Sequence, residues 1–351
     1  MDQPVQIDGS ELEGGGQILR IALTMSVLKN KPIQVFNIRA GRSRPGLLEQ
    51  HLKGVELMKD LSNAYVKGAT LNSTIIDFHP KILQGGRYRA PVKTAGSITL
   101  LLQVALPCCL FAKEVSELEL HGGTNTEMAP QIDYTTEIFK PNLEKFGATF
   151  DFDLVRRGYF PKGGGKVLIN VTPVKNLKPV TLLNQGQIDK IYGWSFVAGV
   201  LPLKMANVMA DAAKNTLQCL TNNIKIECYK EDHDIAPNNE SGIILVAETD
   251  TGCILGSSAL VKRGEQSEFT GKKAADSLLK SIRQGGCVDE FCQDQLIIFM
   301  ALADGNSRIK VGEVTLHTKT AIHIIEKLDE SCKFKIVSDG ISNIIECIKK
   351  S

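Results

Sequence analysis

Three stretches of the chain are apolar almost without interruption: Ile-Leu-x-Ile-Ala-Leu from Ile18, Ile-Thr-Leu-Leu-Leu from Ile98, and Leu-Ile-Ile-Phe-Met from Leu296. Each sits in a segment of helical length, predicted as Gln17–Leu28, Ile98–Leu106 and Glu290–Ala303. Behind each comes a short strand-like run and then a segment in which polar and apolar residues alternate at helical spacing, the mark of a helix with one face buried. The second helices are predicted from about Gly46 to Leu61, Gln131 to Phe146 and Ala321 to Leu328. Two strands close each set: Ala64–Lys67 with Thr74–Phe78, Thr149–Val155 with Gly165–Val171, and Lys333–Val337 with Asn343–Ile348.

The order helix, strand, helix, strand, strand therefore recurs three times, with a further strand ahead of each copy. A period of roughly 70–90 residues implies duplicated domains, because solenoid repeats run at roughly 20–50. The predicted fold class is α+β, built from three tandem β-α-β-α-β-β units. The pattern breaks over residues 182–281, after the boundary-like run Lys175-Asn-Leu-Lys-Pro179. Strands at Ile188–Val200, Ile224–Tyr229, Gly242–Glu248 and Cys253–Leu260, and helices at Leu203–Leu220 and Glu268–Arg283, predict a small inserted α/β domain. Residues 1–181 with 282–351 form the repeat-built remainder.

Composition narrows the picture. The chain has 351 residues, 43% of them hydrophobic, enough for one large core or two smaller ones. No apolar stretch is clean and long enough to span a bilayer, and the start Met1-Asp2-Gln3-Pro4 does not read as a signal peptide. The nine cysteines are odd in number and contain no Cys-x-x-Cys pair, which argues for reduced thiols in the cytosol or nucleus rather than a disulfide scaffold or zinc site. With a formal charge of only +2, any polyanion site must be local.

Such a site is visible near the start. Glu13-Gly-Gly-Gly-Gln-Ile-Leu-Arg20 places three glycines before a helix, where the backbone allows close approach and unpaired N–H groups favour an anion. Arg39-Ala-Gly-Arg42-Ser-Arg44 follows, with His51 close behind, and guanidinium forks grip phosphate at two points. A second basic, glycine-rich stretch, Arg156-Arg157-Gly-Tyr159 and Lys162-Gly-Gly-Gly165, is expected to shape the entry of a polyanion, with Tyr159 available to stack on a base. Asp151-Phe-Asp153 and Glu231-Asp-His-Asp234 are expected to be solvated.

Together these motifs resemble the RNA 3′-terminal phosphate cyclases. The resemblance continues in order through Gly96-Ser97, Gln103, His121-Gly-Gly-Thr124, Ala129-Pro130, Gly158-Tyr-Phe-Pro-Lys-Gly-Gly-Gly165, Asp294-Gln295 and Leu316-His-Thr-Lys-Thr320. It implies a fold like that of the enolpyruvyl transferases, an insert in the observed place, and His317 as a nucleophile that carries AMP. It implies ATP as the nucleotide and a divalent cation, magnesium or manganese, with Glu13 holding the metal. Arg20, Arg39 and Arg42 match phosphate-binding positions, and Gln50 and His51 face the nucleotide. Gln103 and Pro130 line its pocket, Asp294 lies near the nucleoside, and Phe291 is placed to stack on adenine. The implied partner is RNA with a 3′-phosphate end, with no membrane, and the implied location is the nucleoplasm, with the cytoplasm as a second compartment. Two alternatives stand beside it: a non-catalytic cyclase-like ribosome-assembly factor, and a transferase of the enolpyruvyl type.

Overall fold

The computed structural model of the protein describes residues 3–350. Its first unit runs β1 (Val5–Asp8), α1 (Gly16–Lys29), β2 (Ile33–Phe36), α2 (Glu49–Ser62), β3 (Tyr65–Lys67) and β4 (Ile76–His79). The strand order is β1-β2-β4-β3, with β1 and β2 parallel and the other pairs antiparallel.

The second unit repeats this with β5 (Gly86–Pro91), α3 (Ile98–Cys109), β6 (Ser116–Gly122), a broken second helix, β7 (Asp151–Arg156) and β8 (Gly165–Val171), in the order β5-β6-β8-β7. The predicted helix Gln131–Phe146 is α4 (Ile132–Tyr134), a π-helical stretch Thr135–Phe139, and α5 (Lys140–Glu144).

The third unit opens with β9 (Thr181–Leu182). The insert then follows: β10 (Ile188–Ala198), α6 (Lys204–Leu217), β11 (Ile224–Lys230), β12 (Glu240–Thr249), β13 (Ile254–Leu260) and α7 (Ser267–Arg283). The unit resumes with α8 (Gln293–Leu302), β14 (Ser307–Val311), α9 (Leu316–Leu328), β15 (Cys332–Asp339) and β16 (Ser342–Lys349), in the order β9-β14-β16-β15. The insert thus interrupts the third copy, between its first strand and first helix. Leu182, read from sequence as its first residue, pairs with Ile309 of β14 in the third sheet. The insert has its own sheet, β11-β10-β12-β13, and its own apolar core under α6 and α7.

This topology decides where chemistry can happen. Parallel neighbours require a crossover, here a helix. The first two strands of every unit are parallel, and in the first two units each is followed directly by a helix, so both strand-to-helix loops leave the same edge of the sheet; in the third unit the insert stands between β9 and α8. The apolar helices α1, α3 and α8 bury Ile18, Leu23, Leu101, Leu102, Leu296 and Met300 in the shared core. α1 packs against α3 and α9, and α3 against α2 and α8. The loop edges of the units are therefore brought side by side, as Gln50 Oε1 accepting from Ser97 N at 2.6 Å illustrates.

One helix start differs from expectation. The helix read from Ala321 begins at Leu316, so His317 lies in its first turn and not in a preceding loop. The cap is Thr315, whose hydroxyl accepts from Thr318 N at 3.1 Å, satisfying one of the otherwise unpaired first-turn donors. Thr318 and Thr320 are buried inside the helix, and Thr320 Oγ1 donates to the Leu316 carbonyl at 2.8 Å.

Candidate active site

The glycine run ends where α1 begins, and its lack of side chains is required by what surrounds it. A Cβ on Gly16 would stand 2.6 Å from His51 Nε2 and 3.1 Å from Arg20 Nη1. One on Gly15 would collide with the Glu13 carboxylate and with Arg42 Nη2. The glycines thus let a carboxylate, two arginines and a histidine converge on one helix N-terminus.

The third unit closes the site from the other side. His317 Nδ1 lies 2.7 Å from Gln17 Oε1, and Gln17 Nε2 donates to Asp294 Oδ2 at 2.6 Å. Glu13 N donates to Thr320 Oγ1 at 3.2 Å, and His323 Nε2 pairs with Glu11 at 2.7 Å, so α9 is tied to the glycine loop at two further points. With Asp294 ionised, the amide of Gln17 has one orientation that serves both neighbours: its nitrogen faces the carboxylate, so its oxygen faces the imidazole. Nδ1 of His317 is then the protonated nitrogen, and Nε2 carries the free lone pair.

Charge is arranged in the same way. Arg42 pairs with the Glu13 carboxylate and also donates to the Glu13 carbonyl at 3.1 Å. Arg39, in the left-handed region at φ 54°, donates to the carbonyls of Arg44 and Gly46 at 2.6 and 2.9 Å, which folds the arginine loop on itself. Burial lowers the pKa of Arg20, with Asp294 and Glu13 opposing. Asp294 is pushed up to about 7 by burial, against the pull of Arg20. His51 is held down to about 3, first by burial and then by Arg39 and Arg20, so its ring is neutral. Its Nδ1 accepts from Leu48 N at 3.2 Å, which leaves the proton on Nε2, the nitrogen that faces Gly16. The pKa of His317 is lowered too, chiefly by burial, with Glu13 opposing and Arg20 and Arg42 adding.

The remaining predicted positions spread outward from this centre. Arg20, Gln103 and Asp294 line one cleft with Gln17, Gln295 and Phe299. Gln103 Nε2 donates to Gln295 Oε1 at 3.0 Å across it. Gln50 turns to the second unit and holds Ser97 N. The Pro130 carbonyl accepts from Thr99 Oγ1 at 3.0 Å, which fixes the loop after β6 over the start of α3. Phe291 is half exposed, edge-on to Tyr134 at 6.4 Å, with its backbone N–H held by the buried Asp289 at 2.9 Å. Sequence reasoning assigned no role to Gln17 or Gln295. Gln17 stood inside the quoted glycine motif, but a neutral side chain gives no sign of chemistry until its two partners are seen.

Within the second basic stretch, Tyr159 is not the stacking platform expected and Arg157 is not a free cation. Tyr159 is 0% exposed and stacks on Phe196 of β10 at 6.4 Å, so it cannot receive a base. Arg157 is buried between two acids: Nη1 and Nη2 grip Asp133 at 2.7 and 2.8 Å, and Nε lies 2.5 Å from Glu231 Oε1. Glu231 is accordingly withdrawn from the solvated loop predicted for residues 231–234, whereas Asp232, His233 and Asp234 are exposed there, as are Asp151 and Asp153.

Among the described residues no group of three or more histidine, cysteine or acidic side chains is placed to hold a metal, no cysteines are paired, and no helix is long and apolar enough to cross a membrane.

Residues 11–336 match the family model described as RNA 3′-terminal phosphate cyclase. A Drosophila melanogaster protein named RNA 3′-terminal phosphate cyclase is 39% identical over 349 residues, covering 99% of this chain and 96% of that protein. One of the same name from Staphylothermus marinus is 40% identical, covering 95% of each chain. A Dictyostelium discoideum protein named probable RNA 3′-terminal phosphate cyclase is 40% identical over 91% of this chain and 75% of its own length. Among solved structures, the EPSP synthase of Acinetobacter baumannii aligns over 98% of this chain and 65% of its own, at 13% identity and a TM-score of 0.33, too low to argue from. With matches that span the glycine loop, the arginine loop and the His317 helix in one collinear stretch, the chain belongs to the RNA 3′-terminal phosphate cyclase family.

Proposed function

We propose that this protein uses ATP to convert the 3′-phosphate end of an RNA into a 2′,3′-cyclic phosphodiester, with His317 as the nucleophile. The observation that carries the reading is the Asp294–Gln17–His317 line, because it leaves Nε2 unprotonated and aimed away from its support. The depressed pKa of His317 keeps the ring neutral and nucleophilic at pH 7.

Three bond exchanges follow. His317 Nε2 attacks the α-phosphorus of ATP, forming a P–N bond as the bond to pyrophosphate breaks. An oxygen of the RNA 3′-phosphate then attacks the same phosphorus, the P–N bond breaks, and AMP is carried on the RNA end. Last, the neighbouring ribose 2′-oxygen attacks the 3′-phosphorus, its proton leaves, and AMP departs. The final nucleophile sits on the same ribose, so ring closure is favoured by proximity.

Arg20, Arg39 and Arg42 balance the charge that builds on the phosphates during transfer. His51, held neutral, offers its Nε2 proton to the same phosphates. Gln103, Pro130, Phe291 and Asp294 bound the side where the nucleoside lies, with Gln50 tying that wall to the second unit. A divalent cation, magnesium or manganese, fits Glu13, whose Oε2 is buried without a hydrogen-bond partner. One carboxylate is a small donor set, so triphosphate oxygens would supply the other ligands, and the cation would offset their charge.

The non-catalytic alternative would have no use for an oriented imidazole beside three arginines. The test is to incubate a 3′-phosphorylated oligoribonucleotide with the protein, ATP and magnesium, and then with phosphatase. ATP-dependent conversion to a phosphatase-resistant end is the expected result. An end that stays phosphatase-sensitive overturns the reading.

A further inference from the structure

We propose that Phe160, flanked by Lys93, Arg156 and Lys162, is the ledge on which the single-stranded RNA leading to the reactive 3′ end lies, with a base stacked on the Phe160 ring. The inference rests on the function proposed above and names the substrate contacts of that same site.

Phe160 is 74% exposed, although it belongs to a tightly held loop. Its neighbour Tyr159 is the anchor, fully buried against Phe196, and Phe160 stands in the turn that follows it, facing solvent. Gly163 N donates to the Tyr159 carbonyl at 2.7 Å, which closes the turn. Gly163 itself has φ 64° and packs so closely on the Thr94 carbonyl that a Cβ would not fit. The loop is therefore clamped to the segment ahead of α3. That segment is in turn fixed to α2: Lys93 N donates to Glu49 Oε1 at 2.7 Å, and Ser97 N to Gln50 Oε1 at 2.6 Å. The next residue is His51, which meets Arg20 over Gly16, one position from Gln17 and its bond to His317. A continuous line of contacts thus runs from Phe160 to the nucleophile along one edge of the units.

Charge on the second unit is consistent with the same ledge. Arg87, Arg89 and Lys166 on the sheet of the second unit are each paired with Glu117 or Glu119. Lys93, Arg156 and Lys162 are exposed, and among the described residues none of their side chains is in an ion pair or hydrogen bond. An exposed aromatic ring among unpaired cations is what a single strand of nucleic acid needs: phosphates meet the cations, and a base of any identity meets the ring. Sequence-tolerant stacking suits an activity directed at ends.

The test uses the full-length protein and a short 5′-fluorescein-labelled, 3′-phosphorylated oligoribonucleotide. Phe160→Ala should raise KM for this RNA by about tenfold or more, given what loss of one base stack costs. Labelling of the protein by α-labelled ATP should be unchanged, as should kcat. Phe160→Trp should restore KM, and Phe160→Leu should not. With a mononucleoside 3′-phosphate, which has no preceding base, wild type and Phe160→Ala should behave alike. The double variant Lys93→Ala, Lys162→Ala should flatten the salt dependence of RNA binding by a slope of about 0.7 per lost phosphate contact. An unchanged KM in Phe160→Ala, or wild-type behaviour in Phe160→Leu, overturns the inference and leaves the exposed ring as a contact for a protein. If the wild type takes up no label, the proposed nucleotide chemistry fails. Fluorescence anisotropy of RNA binding by the same variants then still decides whether Phe160 holds the strand.

Discussion

The loops of the first and second units make an instructive pair. Both carry a glycine run and closely spaced arginines, both leave the same edge of their sheets, and by sequence both promise to hold a polyanion. In the first unit Glu13 pairs with Arg42, Arg39 has only carbonyl partners, and Arg20 is desolvated beside Asp294 and Glu13. In the second, Arg157 is met by two carboxylates and sealed under the insert, where Ile235 O also accepts its backbone N–H at 2.8 Å. The same residue type keeps guanidinium donors for a ligand where carboxylates do not saturate it, and is a structural clamp where they do. What decides is the supply of counter-charge from elements distant in sequence: Asp133 comes from α4, and Glu231 from the insert.

Breaking the clamp should have the largest effect. Arg157→Leu strands the buried Glu231 and the half-buried Asp133 without a counter-charge and is expected to cost about 3 kcal/mol of unfolding free energy, measurable by urea denaturation. Full stability in that variant would show that the two acids reach water and that the contrast between the loops is superficial.

In the first unit the comparable change is catalytic. Gln17→Leu keeps the bulk but releases the His317 ring, and kcat should fall roughly 10²-fold, the scale of a misplaced reacting group. Binding of RNA should change little, which separates orientation from docking.

Titration sharpens the contrast further, because the open site holds two groups far from their usual values. His51 is held at about 3, below an unfolded value near 6.5, so the unfolded chain takes up a proton that the folded site refuses. Stability contributed by neutral His51 is present above pH 6.5 and is lost as pH falls toward 3. Asp294, raised to about 7 from 3.8, acts in the opposite direction: its protonated form favours folding at low pH, and that contribution is lost as pH rises from about 4 through 7. Asp294→Asn should therefore flatten the decline in Tm between about pH 4 and 7, and His51→Gln should flatten the decline below 6.5. No change in either profile would mean that water or ions shield both groups.

The smallest effect is expected at Tyr159, whose hydroxyl is buried with no hydrogen-bond partner. Tyr159→Phe should leave stability within about 1 kcal/mol of wild type, or raise it. A larger loss would reveal a water-mediated contact in the clamp.

The repeat was legible in the sequence because its signal is local: the apolar runs at Ile18, Ile98 and Leu296 mark the central helices. The glycine loop and Arg39 and Arg42 were legible for a similar reason, since residue type and spacing lie within a short span. Three things were not. Gln17 acquires its role only from His317 and Asp294, some three hundred residues away in the chain. Tyr159 and Phe160 are adjacent and both aromatic, and only the packing of Phe196 decides which is buried. The start of α9 depended on a cap: Thr315, Thr318 and Thr320 are all capable in principle, and the fold of the first residues after β14 selects Thr315.

The most direct measurement is incubation of the purified protein with α-labelled ATP and magnesium, without RNA, for wild type and His317→Ala. The account predicts acid-labile, alkali-stable label on the wild type, located at His317, and none on the variant. Label that persists in His317→Ala, or no label on either protein, would contradict it.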